Sequence, residues 1–261
     1  PKSGQDEETR TNPGVCTDAL SHTFSFSVDA PAQLTAPNGV FNQTVAFNHT
    51  NVFSNASASE EGPSVEMQSR HRLQNPSKLH CLLFNADTLS NKLSELQVRI
   101  QQGTQPDIMI ICEAKPKNSR YQMSPNDFHI HGYSTFSANL DTADGRGIII
   151  YIKQDLEASE IALKPEFIEC VAVKIPLKSP DVLTLVGIYK SPDTSPENED
   201  KLFSLLQQAS SNSSHILIAG DFNYPGIDWE SQVTTAFHNK NGRFLECIRG
   251  TYLSQHVTFP T

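Results

Sequence analysis

The sequence has no long apolar run: nowhere do its 261 residues approach the roughly 18 consecutive apolar residues of a membrane span. The first ten residues, PKSGQDEETR, hold no apolar stretch, so no secretory signal peptide is expected at this end. Cysteine is scarce, with Cys16, Cys81, Cys112, Cys170 and Cys247 scattered and no CxxC pair among them. That pattern argues against a zinc cage, and thiols inside apolar runs are expected to be buried and reduced, as in an intracellular protein. Positive charge is also short. Lys and Arg number 20 against 29 acids, giving a net charge of −9, which excludes a globally basic nucleic-acid coat. It does not exclude an enzyme that meets DNA through a local patch and a metal ion. The chain starts at Pro1 rather than Met, as a fragment of a longer frame would. Four N-x-S/T sequons, at Asn42, Asn48, Asn55 and Asn212, are expected by chance in an Asn- and Ser-rich chain.

Two textures divide the chain. Residues 1–77 are rich in Ser, Asn, Ala and Pro, with no sustained apolar period, and read as a mostly disordered leader with short extended pieces. Residues 78–261 read as a folded α/β domain. LHCLLF, DIMIIC, GIIIYIK, FIECVAVKI, VLTLVGIY and HILIAG are six candidate strands. Leu89, Leu93, Leu96 and Ile100 mark one helix face. Ser195-Pro196 offers a cap and a first-turn proline for a second helix carrying Leu202, Phe203, Leu205 and Leu206. A third helix is predicted within 242–253, after an Asn241-Gly242 turn. Strands alternating with helices indicate a layered α/β architecture.

What ends the strands is regular. LLF ends in Asn85, IMIIC in Glu113, LVGI in Tyr189, and LIAG in Asp221 with Asn223 just beyond. Ligands of α/β sheets sit outside strand ends, where a rigid scaffold projects side chains into a shared crevice. Hard divalent cations take oxygen donors and are often held by one or two carboxylates plus water and phosphate, which suits Glu113 and Asn85. Asp221 suits the orientation or deprotonation of a water. Asn223 and Tyr189 can hydrogen-bond phosphate oxygens as charge builds. The set reads as metal-dependent phosphoester hydrolysis with Mg2+, or Mn2+ in its place.

Five ordered motifs, LFNADTLSNKLSEL, PDIMIICEAKPKN, GRGIIIYIK, VGIYKSPDTSPEN and LIAGDFNYPGIDW, resemble the endonuclease/exonuclease/phosphatase superfamily. They are most similar to the endonuclease domain of non-LTR (LINE-type) retrotransposon reverse transcriptases. The resemblance implies a DNase I-like four-layer α/β sandwich that nicks DNA, with a reverse transcriptase domain downstream. It puts Asn85 and Glu113 at the metal, Tyr189 at the scissile phosphate, Asp221 at the water and Asn223 at the phosphate. Its substrate would be nuclear DNA reached from the cytoplasm, with no membrane partner. Beside these, Arg146 reads equally as a DNA-backbone contact and as a solvated hairpin residue. Lys115 and Lys117, in KPKNSR, form the best local basic patch, although a charge run is usually a wet loop. For Asp228 and Trp229, packing and turn capping outweigh a contact to substrate.

Lys190 stands where the family more often has Arg, and Asp87 also departs from its pattern. The family's Ser-Asp-His triplet does not occur in the 261 residues, so the domain is expected to be truncated at its C-terminus. Two alternatives to the nicking enzyme follow: a catalytically inactive, decayed or host-retained domain, and a phosphatase of the same fold.

Overall fold

The computed structural model describes residues 22–27, 44–48 and 78–255, apart from 104, 118–121, 143–144, 165–166, 178–179, 212, 214 and 235–237. Strands β1 (His22–Ser27) and β2 (Thr44–Asn48) fall inside the expected leader, whose remaining residues lie outside the described set. They are followed by β3 (Lys78–Asn85), α1 (Leu93–Gln102), β4 (Ile108–Cys112), β5 (Tyr133–Ala138) and β6 (Ile148–Lys153). Next come β7 (Ser159–Glu160), β8 (Cys170–Pro176), β9 (Val182–Tyr189), α2 (Pro196–Ser211) and β10 (His215–Asp221). β11 (Ile227–Asp228), β12 (Val233–Thr234), α3 (Lys240–Gly250) and β13 (Leu253–Gln255) complete the described chain.

Two sheets form, in the orders β1-β3-β4-β6-β5 and β13-β2-β10-β9-β8-β7, with β11 and β12 as a separate ribbon. The sequence of β4, IMIIC, shows why they stack. Successive strand side chains point to opposite faces. Ile108, Ile110 and Cys112 therefore enter the core between the sheets, against Val173, Leu185 and Leu217. Met109 and Ile111 enter the outer core under α1, with Leu96 and Ile100. On the far side, α2 and α3 set Leu202, Leu205, Leu206, Phe244 and Ile248 against Val186, Ile188 and Ile218. Each fully buried aliphatic side chain contributes about 1.5–3 kcal/mol. The result is helix, sheet, sheet, helix: the strand and helix pattern indicated a layered α/β architecture, and the four layers are those that the resemblance implies.

The N-terminal strands complete these sheets rather than forming a unit of their own. β1 pairs antiparallel with β3, and β2 lies between β10 and β13, antiparallel to both. Two details differ from the sequence reading. Ser134, Thr135 and Ser137 hide the period of the sheet-edge strand β5, which was not expected. Helix α3 starts at Lys240, because the Asn239 side chain accepts hydrogen bonds from the amides of Asn241 (2.9 Å) and Gly242 (3.1 Å). That cap draws Asn241-Gly242 into the first turn instead of leaving it as a preceding loop.

For the site, the decisive feature is that each sheet holds one parallel pair. β3 runs parallel to β4 and β10 runs parallel to β9, so in each pair both carboxyl ends emerge on the same side.

Candidate active site

Asn85 is the last residue of β3 and is in register with Cys112, the residue before Glu113. Asp221 ends β10 in register with Tyr189 at the end of β9. The two sheets meet here, where the Asn85 Nδ2 donates to Asp221 Oδ2 at 3.0 Å. The amide of Asn223 donates to Asp221 Oδ1 at 3.2 Å, and the Asn223 side chain donates to the Lys190 carbonyl at 2.8 Å. The carbonyl of Asp221 in turn accepts from the amide of Lys190 at 2.8 Å.

The backbone here is held in conformations that ordinary residues avoid. Asp87, Thr88, Glu113 and Asn223 all have positive φ, at 41°, 82°, 54° and 51°. Such angles cost free energy and persist where the surroundings over-determine them, commonly at functional sites. Neighbouring amides do so for Glu113. Its carbonyl accepts from Thr88 (3.0 Å), and the next two amides, Ala114 and Lys115, donate to the carbonyls of Gly147 (3.3 Å) and Arg146 (2.8 Å).

Electrostatics separate the two acids. Asp221 is buried, and burial, with a smaller push from Glu113, raises its carboxyl to about 6 against the opposing hydrogen bonds from Asn85 and Asn223. Glu113 is partly open, and its Oε2 lies 3.0 Å from the Arg146 guanidinium. The same guanidinium reaches Asp87 at 2.5 Å, and its Nε donates to the Lys115 carbonyl at 3.0 Å. Tyr189 is buried. Burial first, then the charges of Glu113 and Asp221, push its phenol well above its ordinary value, so it stays a proton donor.

The structure thus gathers Asn85, Glu113, Tyr189, Asp221 and Asn223 at one edge and adds Arg146, whose guanidinium is committed to two carboxylates and a carbonyl. Lys115 needs correction. Its side chain is fully buried, and its Nζ donates to the Thr142 carbonyl at 2.6 Å, so it belongs to the scaffold and presents no surface to substrate. Lys117 is exposed, whereas 118–120 of the KPKNSR stretch lie outside the described residues. Asp228 caps a turn, accepting from the amides of Glu230 (3.0 Å) and Ser231 (3.3 Å), and Trp229 meets Phe244 edge-on at 6.3 Å between centroids. Packing and capping are thus the contacts these two make.

Sequence reasoning missed a buried support behind Asp221. Lys190 is fully buried, its Nζ 3.6 Å from Glu199 and 4.4 Å from the centre of the Tyr224 ring. Tyr224 donates to Glu199 at 3.2 Å and stacks on Phe244. Burial lowers the Lys190 ammonium, and Glu199 opposes that shift. Glu199 gave no signal in the sequence, since PENED reads as ordinary acids in a helix's first turn. Lys190→Met is expected to destabilise the fold by about 3–5 kcal/mol, because it strands a buried carboxylate. Adding Glu199→Gln should recover part of the loss in urea denaturation. Additive losses would refute the pairing.

No cluster of three or more His, Cys, Asp or Glu side chains able to hold a metal occurs among the described residues. The oxygen donors of Asn85, Glu113 and Asp221 nevertheless suit a hard cation that keeps water and phosphate as its other ligands. Glu113 already faces a cationic group, the Arg146 guanidinium.

The class that the structure defines is a four-layer α/β sandwich with this set at its parallel strand ends. More particularly, residues 183–261 match the family model described as endonuclease-reverse transcriptase. No curated protein matches the chain. Similar solved structures include the AP endonuclease LMAP from Leishmania major, at 17% identity and a TM-score of 0.49, covering 65% of each chain. The endonuclease domain of TRAS1, a telomere-specific non-LTR retrotransposon, is 15% identical with a TM-score of 0.43, over 66% of this chain and 71% of that one. A 3′ phosphatase, NExo from Neisseria, bound to product DNA hairpin, is 14% identical with a TM-score of 0.40, over 57% and 59%. The chain thus spans less than two thirds of the length of the Leishmania and Neisseria proteins. No helix among the described residues is long and apolar enough to cross a membrane.

Proposed function

We propose that this chain is a divalent-metal-dependent phosphodiesterase domain that nicks DNA and leaves a 3′-hydroxyl from which a reverse transcriptase domain of the same protein would prime. The observation carrying the proposal is the Asn85–Asp221 hydrogen bond, which closes the carboxyl ends of both parallel strand pairs into one oxygen-rich edge. The match of residues 183–261 to the endonuclease-reverse transcriptase family favours DNA as substrate.

Asn85 and Glu113 would hold Mg2+, or Mn2+ in its place. When bound, the ion would supply positive charge to the phosphate. Asp221 takes the proton of the attacking water: burial has moved its carboxyl to about 6, near the working pH of a general base. Asn223, fixed by its bond to the Lys190 carbonyl, and the protonated Tyr189 donate hydrogen bonds to non-bridging phosphate oxygens. Arg146 balances the acids Glu113 and Asp87, and the exposed Lys117 would be free to meet a DNA backbone. The place of action follows from the substrate: the nucleus, reached from the cytoplasm.

Supercoiled plasmid should be converted to the open circle with millimolar Mg2+ and left intact in EDTA. The nick should serve as a primer for a DNA polymerase. Release of phosphate from inositol phosphates, with plasmid untouched, would replace the nuclease by the phosphatase of the same fold. No activity on either would favour the inactive domain.

A further inference from the structure

Behind the strand ends lies an acid that the mechanism above does not use. Glu169, immediately before β8, is almost fully buried. Its Oε1 accepts from two successive amides, Arg146 at 2.7 Å and Gly147 at 2.8 Å. Gly145 and Gly147 have φ of 72° and 69°, and a Cβ on Gly145 would stand 2.7 Å from the same oxygen. The Gly-Arg-Gly turn is therefore wrapped around this carboxylate as backbone amides wrap a bound anion, except that the anion is a side chain of the protein.

The opposite side of that dipeptide holds the metal-side acid. The carbonyls of Arg146 and Gly147 are the acceptors for the amides of Lys115 and Ala114, the two residues that follow Glu113. The Arg146 side chain closes the loop through its Nε on the Lys115 carbonyl and its guanidinium on Glu113. Glu169 also reaches the second sheet, its carbonyl accepting from the amide of Tyr189 at 3.0 Å. One residue thus ties the turn that fixes Glu113 to the strand that ends in Tyr189.

We propose that Glu169 is a positioning residue, which by accepting from Arg146 and Gly147 holds Glu113 and the Arg146 guanidinium in the arrangement that receives the divalent cation. This rests on the metal-dependent reading above. The mechanism is geometric. Without an acceptor at this point the two amides are buried and unpaired, and the turn shifts to find others. The carbonyls bracketing Glu113 shift with it, and a residue at φ 54° relaxes once its neighbours stop enforcing that angle. The bond to Tyr189 uses the backbone of Glu169 and survives any side-chain change, so substitution isolates the effect on Glu113.

The test is Mn2+ binding to the whole 261-residue chain without DNA, followed by electron paramagnetic resonance, beside urea denaturation and nicking kinetics. Glu169→Ala is expected to weaken Mn2+ binding about tenfold and to lower kcat by a similar factor, as loss of supporting partners at metal sites does. KM for plasmid should stay within about twofold, because the surface that meets DNA is untouched. Glu169→Gln keeps an oxygen that can accept both amides and should restore binding to near the wild-type level. A residue of purely structural importance would lower the urea midpoint and leave the Mn2+ affinity of the folded fraction unchanged. That result overturns the assignment. If the Ala variant does not fold, Glu169→Asp, which withdraws the carboxylate by one methylene, answers the same question: wild-type affinity there also overturns it. A wild-type chain that neither binds Mn2+ nor nicks would bring down the metal-dependent reading and this inference together. Wild-type binding with unchanged variants would remove Glu169 alone.

Discussion

Replacing Asp221 or Glu113 by alanine is expected to abolish metal-dependent nicking while leaving a folded protein. The two losses have different origins. Asp221 is the proposed base: it sits at the end of β10, its carboxyl oriented by Asn85 and the Asn223 amide, and a positioned base contributes about 10²–10⁴-fold. Glu113 is the partly open carboxylate beside Arg146, and without it the proposed cation site loses its carboxylate ligand. Folding should survive in both variants for reasons visible in the contacts. Glu113→Ala leaves the Arg146 guanidinium its bond to Asp87 at 2.5 Å and its Nε bond to Lys115. Asp221→Ala forfeits two hydrogen bonds, but it also removes a carboxylate whose charged form burial disfavours. Plasmid nicking and thermal melting by circular dichroism, run side by side, check both halves. Nicking retained in either variant would refute the role of that residue, and unfolding of either would show its acid to be structural.

Gly220→Ala is expected to prevent folding altogether. Gly220 lies in the parallel pairing of β10 with β9, in register with Ile188, at a φ of 155°. A Cβ there would stand 1.7 Å from the Ile188 carbonyl oxygen and 2.9 Å from its nitrogen. Both are backbone atoms of the central strand pair, so no side chain can rotate away to make room. Relief would require separating β10 from β9, and with them the core that holds Leu185, Leu217 and Ile218. Overpacking of an ordinary core costs about 1–3 kcal/mol, and this clash against fixed backbone exceeds that range. The expected outcome is insoluble protein, or a soluble fraction without a cooperative urea transition. A folded alanine variant with wild-type stability would show that the close approach of these strands is not required. The same closeness explains why the apolar run ends in Gly-Asp: only glycine lets the strand stay tight against β9 and deliver the next residue into the site.

Much of this was legible along the chain because it is locally encoded. The period-2 placement of Ile108, Ile110 and Cys112 against Met109 and Ile111 defines a strand buried on both faces, whatever packs on it. The spacing of Leu96 and Ile100, and the Ser195 cap of α2, define helices in the same way. Polar residues that interrupt apolar runs at Asn85, Glu113, Tyr189 and Asp221 mark the strand ends, and their residue types name the chemistry that oxygen donors can perform.

What the sequence could not decide depends on contacts between distant segments and on the direction of single side chains in irregular backbone. Nothing local distinguishes Lys115 from Lys117. The first is buried and donates to Thr142, 27 residues away, and the second is exposed. Arg146 reads as free in its glycine turn until β6 is placed beside β4, which brings it to Glu113 and Asp87. Glu169 resembles a stray acid in FIECVAVKI until the turn closes over it. β2 has no apolar period of its own and acquires its role only from β10 and β13, strands far along the chain. Periodicity and residue type thus determined the elements and the kind of site. Which side chains face it, and what holds them there, was decided by tertiary packing, since buried polar groups must find partners wherever in the chain those partners lie.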